Sequence, residues 1–225
     1  MAPMPQSGDN SAAVFSGNHF MIKSGFVGAL ALGVVALAGS ASAGEIYGGA
    51  YAHDVTFLGE ALGIGAAGRE GGADIEIGWR SDKKENWDFL RHPSVYVMAA
   101  VNTQGDSSHI ATGLTWKVNF GETKKWFVRP GFGLAYTDGY DELPDFRTPG
   151  LSQEEIARRV AMRDDHIEFG SKFLFQPNIA LGYDLSERTS IELAYIHLSN
   201  GQILGQGKNQ GLDDLGLRVS YKLGN

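Results

Sequence analysis

From Gly44 onward, apolar residues recur at every second position, the period of an extended strand and not of a helix. Ala73, Ile75, Ile77 and Trp79 share one side of a segment whose other side carries Asp74, Glu76 and Arg80. The same alternation sets Val95, Val97, Ala99 and Val101 against Ser94, Met98 and Asn102, and Ile110, Leu114, Trp116 and Val118 against Lys117 and Asn119. Val128, Phe132, Leu134 and Tyr136 oppose Lys125, Arg129 and Gly133. Over 167–185, Ile167, Phe169, Phe173, Phe175, Ile179, Leu181 and Tyr183 oppose Glu168, Lys172, Gln176, Asn178 and Asp184. Segments near 189–200 and 211–223 behave likewise, and one near 45–56 brings the expected strands to eight.

The links between these strands are unequal. Long ones fall at about 57–70, 138–165 and 201–210, compact ones at 120–124 and 186–188, and the 82–92 link is longer than a usual tight turn. Pro130 and Pro177 stand inside expected strands, where each removes a ladder donor, so a local irregularity is expected at both. The period changes once. Ser152-Gln153-Glu154-Glu155 reads as a capping box followed by Ile156 and Val160 at helical spacing, which predicts a short helix in an external loop. Its Arg158, Arg159 and Arg163 form either a solvated face, the commoner outcome, or a set of contacts for lipid phosphates.

Ahead of the alternating region, an apolar run from Phe26 to Ala38 follows Met21-Ile22-Lys23-Ser24 and precedes Ala41-Ser42-Ala43. A basic start, a short apolar stretch and an Ala-x-Ala site describe a secretory signal over 1–43, with Met21 a plausible true start. The run is short for a transmembrane helix. The expected organisation is therefore a signal over 1–43 and one β domain over 44–225. If the mature chain enters a membrane it does so with strands closed on themselves, because lipid offers no partners for unpaired backbone groups.

An even number of alternating strands behind an export signal suits a small outer-membrane barrel. The expected fold class is all-β: an eight-stranded antiparallel transmembrane barrel. A soluble sandwich or lipocalin-like barrel alternates too, with its apolar face inward. Aromatics on the apolar face, and Gly beside charges on the other, favour the membrane form. Eight strands leave an interior that side chains can fill. Lys117, Arg129, Lys172 and Arg218 could pair there with Asp74, Glu76, Glu168, Asp184 and Glu192.

Composition narrows the chemistry. The 225 residues include 31 Gly and no Cys, which excludes disulfides and thiolate metal sites, and a net charge of −7 argues against a nucleic-acid partner. His53, His92, His109 and His166 lack metal-ligand spacing and read as surface or capping residues, so neither a metal nor a cofactor is expected.

One constellation remains. The seventh strand ends Tyr195-Ile196-His197-Leu198-Ser199-Asn200, which puts His197 and Ser199 on one side. In Gly211-Leu212-Asp213-Asp214-Leu215, opening the eighth strand, Asp213 shares the apolar parity and Asp214 the interior one. Asp213 is thus the acid able to meet His197 and Ser199, completing a nucleophile, base and orienter for acyl transfer. Asn200, the backbone N–H near Gly201, and Asn209 are candidate oxyanion donors.

His197-Leu198-Ser199-Asn200 followed by Asn209-Gln210-Gly211-Leu212-Asp213 resembles the pattern of the PagL-type outer-membrane lipid A deacylases, and His53-Asp54-Val55 matches their layout near the first strand. The resemblance implies a barrel in the bacterial outer membrane with its triad on the lipid-facing surface at the outer leaflet. It also implies metal-free hydrolysis of the acyl ester at the 3 position of lipid A, with Ser199 as nucleophile, His197 as base and Asp213 as the acid. Asp213 stands where a known family member has Glu. The expected partners are lipid A or lipopolysaccharide and outer-membrane lipids, with a homodimer left open. Two other functions stay open: a phospholipase-like acyl hydrolase, and a non-enzymatic surface barrel.

Overall fold

The computed structural model describes residues 44–57, 61, 68–205 and 207–224; the expected export signal over 1–43 lies outside them. The alternating segments become β1 (Gly44–Ala52), β2 (Ala73–Arg80), β3 (Ser94–Asn102), β4 (His109–Thr115), β5 (Val118–Phe120), β6 (Trp126–Thr137), β7 (Phe173–Asp184), β8 (Thr189–Leu198) and β9 (Leu212–Leu223). Hydrogen bonding runs β4-β3-β2-β1-β9-β8-β7-β6-β5, and β4 also pairs with β6, which closes the sheet into an antiparallel barrel. β4 and β5 are two halves of one strand, because both meet β6 in a single register (Thr115 opposite Gly131, Val118 opposite Val128). The wall therefore has eight strands.

Both proline irregularities have a definite form. Pro130 falls opposite the break between β4 and β5: it accepts from Trp116 N at 3.0 Å but has no N–H to return. Pro177 stays paired with Phe132 of β6, yet the ladder to β8 stops at Asn178–Ile196 and resumes only as a Phe175–Ser199 bridge. In that register Pro177 lies opposite His197 and cannot donate to its carbonyl. Each proline opens the wall on one side only.

The apolar face points outward. Ile75, Ile77, Phe132, Leu134, Ile179, Leu181, Leu193, Leu217 and Val219 are exposed, while their polar neighbours along the strands are buried. Such an arrangement is stable only against lipid. Inside, Glu192 sits among three guanidinium groups: Arg80 at 3.1 Å, Arg129 at 3.3 Å and Arg218 at 3.2 Å. Arg218 also pairs with Glu76 at 2.8 Å, and Glu45 joins Arg80 and Arg129. The Tyr47 ring lies 4.0 Å from the Arg80 guanidinium and 4.8 Å from that of Arg218. Part of the glycine content follows from this filling. Tyr47, Tyr51 and Phe127 lie opposite Gly78, Gly216 and Gly182, where any Cβ would meet the ring within about 2.6 Å. The middle of the barrel keeps a cavity of about 10 Å³, room for one water.

Two expectations about the interior change. Lys172 and Glu168 belong to the 138–172 connection and not to the lumen. Lys172 reaches the Gly139 carbonyl, and Glu168 pairs with Arg163 at 2.8 Å. Ile167 and Phe169, expected on the outer face of a strand, are fully buried in the same connection. The strand starts only at Phe173, because an alternating pattern does not reveal where pairing begins. The capping box forms helix α1 (Gln153–Asp165), with Ser152 Oγ accepting from Glu155 N at 3.2 Å. Its arginines are engaged within the protein: Arg158 and Arg159 pair with Glu155 at 2.8 and 2.7 Å, and Arg163 with Glu168.

Candidate active site at the barrel rim

The long connections 53–72, 103–108, 138–172 and 199–211 share one end of the barrel, and the C-terminal end of β8 and the start of β9 open into it. There the β8–β9 register sets His197 opposite Asp213. His197 Nδ1 lies 2.5 Å from Asp213 Oδ1. By alternation both side chains are on the outer face of the wall. Both are nonetheless covered, at 10% and 0% side-chain exposure, because connections fold over the rim. The chain after β1 runs beside Asp213, with Val55 N donating to the Asp213 carbonyl at 2.8 Å. A dry imidazole–carboxylate pair of this kind fixes the ring orientation and tautomer, leaving Nε2 as the nitrogen without a hydrogen.

Ser199 follows on the same face, half-buried, with its backbone bridged to Phe175. Among the described residues its Oγ makes no hydrogen bond to His197. The structure thus brings His197 and Asp213 together and leaves the serine hydroxyl nearby but not engaged.

The candidate oxyanion donors divide. Asn200 is buried and committed to its loop: Nδ2 donates to the Phe169 carbonyl at 2.7 Å and to the Lys208 carbonyl at 3.1 Å, while Oδ1 accepts from Gln202 N at 2.6 Å. Its backbone N–H goes to Asn209 Oδ1 at 2.9 Å. Asn200 is therefore a brace for the 199–211 connection. The Gly201 N–H and Asn209 Nδ2 have no acceptor among the described residues. Gly201 has φ +60, and a Cβ there would come within 3.0 Å of the Phe175 ring.

A second cluster, whose members the sequence did not bring together, lies on the inner side of the same wall. His53 is buried and not a surface residue. Its Nδ1 is 2.9 Å from Asp74 Oδ2 and 3.5 Å from Asp214 Oδ1, and its Nε2 is 3.2 Å from Glu70 Oε2. Burial by itself would lower the affinity of the ring for a proton. Hydrogen bonds to Asp74 and Glu70, with the Asp74 charge, override this and push its pKa up to about 11. Glu70, also bonded to Ser107 N and Ile167 N, is held below the usual carboxylate range despite its burial. Among the described residues, His53, Asp74 and Asp214 are the grouping whose donor atoms converge, within 4.8 Å, closely enough for a metal ion. His109 is likewise buried and not superficial, whereas His92 and His166 are partly exposed. The hint available in sequence was the interior parity of Asp74 and Asp214; the folding-back of His53 was not visible.

An apolar-outside, charge-filled barrel with an imidazole–carboxylate pair at one rim defines a small outer-membrane barrel protein with a candidate hydrolytic site. The model of the family described as Lipid A 3-O-deacylase (PagL) matches residues 70–222, and the chain belongs to that family. It is thus a lipid A deacylase family member of the bacterial outer membrane. Among solved structures, that of the outer membrane enzyme PagL aligns with a TM-score of 0.51 and 13% identity, over 79% of this chain and 98% of its own. Neisserial surface protein A aligns with a TM-score of 0.42, 14% identity and 81% and 98% coverage. OprG from Pseudomonas aeruginosa aligns at 0.39, 15%, 82% and 98%. None of the curated proteins matches the chain.

Proposed function

We propose that this chain, exported by the signal over residues 1–43, is a serine esterase that hydrolyses the ester-linked acyl chain at the 3 position of lipid A. Ser199 is its nucleophile, His197 its base and Asp213 its acid. The observation that carries this reading is the buried 2.5 Å contact between His197 and Asp213 at the rim, two residues before Ser199 on the same face. Ser199 Oγ attacks the ester carbonyl carbon as its proton passes to His197 Nε2, and Asp213 stabilises the resulting imidazolium. Gly201 N–H and Asn209 Nδ2 are the donors free to meet the oxyanion. His197 then returns the proton to the departing 3-oxygen of the sugar. Water, deprotonated by the same ring, cleaves the acyl-serine to release a fatty acid and restore the serine. Nucleophile–base contacts in substrate-free sites are often loose and close in the complex, which accommodates the unengaged Ser199 hydroxyl. A substrate already embedded in the membrane reaches a site on the outer wall without needing a pocket.

Mass spectrometry of lipid A from cells expressing the wild type and Ser199→Ala tests this, with folding of both checked by heat-modifiable gel mobility. The expected result is loss of one acyl mass in the wild type alone, the variant retaining less than about a thousandth of the activity. A deacylated lipid A with Ser199→Ala would remove the serine from the mechanism. Lysophospholipid in place of deacylated lipid A would turn the reading toward a phospholipase.

A further inference from the structure

Asp213 and Asp214 are consecutive residues of β9 and point to opposite sides of the wall, each toward a histidine. Asp213 meets His197 on the outer side at 2.5 Å, and Asp214 meets His53 on the inner side at 3.5 Å. We propose that His53 and Asp214 are positioning residues for the reaction: the inner pair clamps the 213–214 peptide and thereby fixes the Asp213 carboxylate on which His197 depends. This inference rests on the proposed serine chemistry.

Three independent contacts form the clamp. The His53 ring lies beside Asp214, Asp54 N donates to Asp214 Oδ1 at 3.4 Å, and Val55 N donates to the Asp213 carbonyl at 2.8 Å. The segment 53–55 follows β1 directly and turns through Asp54, whose φ of +51 is in the left-handed region. That turn is what lets three successive residues address the same dipeptide. An aspartate tolerates the conformation better than most residues, and a conformation of this kind persists where its surroundings hold it. They do so here. Asp54 Oδ2 accepts from Arg69 N and from Glu70 N at 2.6 and 3.1 Å, and His53 is fastened to Asp74 and Glu70. Glu70 in turn receives Ser107 N at 3.0 Å and Ile167 N at 3.1 Å, so three rim connections converge on the clamp. The outer side supplies less support. There the buried Tyr195 hydroxyl lies against the Asp213 carboxylate without a well-aligned hydrogen bond to Oδ2, and Pro177 gives His197 no ladder hydrogen bond. The backbone that carries this carboxylate is held from within.

The test is steady-state kinetics on purified barrels with lipid A in detergent, normalised to the heat-modifiable folded fraction. The variants are His53→Gln, Asp214→Asn, Asp213→Asn and Ser199→Ala, with the His53→Gln/Asp213→Asn double variant. His53→Gln and Asp214→Asn are each expected to lower kcat at least about tenfold with KM within about twofold, since small misplacement of a reacting group acts on turnover. Adding His53→Gln to Asp213→Asn is expected to cost less than about twofold more, because the first residue acts through the second. If His53→Gln does not fold, the isosteric Asp214→Asn carries the comparison. Unchanged kcat per folded barrel in these variants, or losses that multiply in the double variant, would overturn the clamp. Activity that chelation abolishes and zinc or calcium restores would also overturn it, since a cation and not the imidazole would then hold the cluster. Full activity in Ser199→Ala would instead defeat the serine mechanism, so the two failures are separable.

Discussion

His53 illustrates how far one residue's environment can depart from its type. An imidazole placed among Glu70, Asp74 and Asp214 is a cation at neutral pH, and its charge is part of what holds the rim together. Its pKa rises from an ordinary 6.5 to about 11 on folding. The stability this supplies is therefore complete below about pH 6.5 and is lost as pH climbs through 11. Glu70 works the other way: held below its ordinary 4.5, it contributes above that value and stops contributing as pH falls. The folded form is expected to be most resistant to heat between about pH 5 and 6.5 and to lose about 2–4 kcal/mol from pH 7 to pH 10. His53→Gln should flatten that alkaline slope. Melting of the heat-modifiable gel form across this range reads both effects.

At the scale of elements, two ways of holding structure in place stand side by side. The strands are fixed by register, and a proline that interrupts one ladder leaves the other intact. Helix α1 buries none of its residues completely; it is held by its cap, by the Glu155 pairs with Arg158 and Arg159, and by polar contacts of Arg159 and Arg163 with Asp145, Leu143 and Glu168. A helix of this length is marginal without tertiary packing. Ser152→Ala should weaken it by about 1 kcal/mol. The expected consequence is faster proteolytic cleavage within 138–172, with the melting of the barrel unchanged. A parallel drop in barrel melting would mean that the helix supports the wall.

For the whole molecule, the lumen gathers buried charges from several strands into one network. Glu192 is completely buried and serves Arg80, Arg129 and Arg218 together. Breaking a buried ion pair by removing one partner costs about 3–5 kcal/mol, because the charge left behind cannot reach water. Glu192→Gln leaves Glu45 and Glu76 to balance three guanidinium groups. It should lower the unfolding free energy of the barrel, measured by urea titration in detergent, by that amount, while the rim keeps its chemistry per folded molecule.

How much of this was legible beforehand depends on whether the information was local. Period-two alternation, the capping box and the parity of Asp213 against Asp214 are all properties of neighbouring residues, and regular backbone geometry turns them directly into faces and elements. They were sufficient for the eight-stranded barrel, helix α1 and the placing of His197 and Asp213 on one face, since alternation on two neighbouring strands fixes which residues share a side. The tertiary structure decided what depends on distant segments meeting. It put the apolar face toward lipid, drew Ile167, Phe169, Lys172 and Glu168 out of the expected wall and into a rim connection, and spent the Asn200 amide on the loop that it braces. It also folded the segment after β1 back over the start of β9, so that His53 meets Asp214. No local pattern encodes that contact, because it exists only once closure of the barrel brings its first and last strands together.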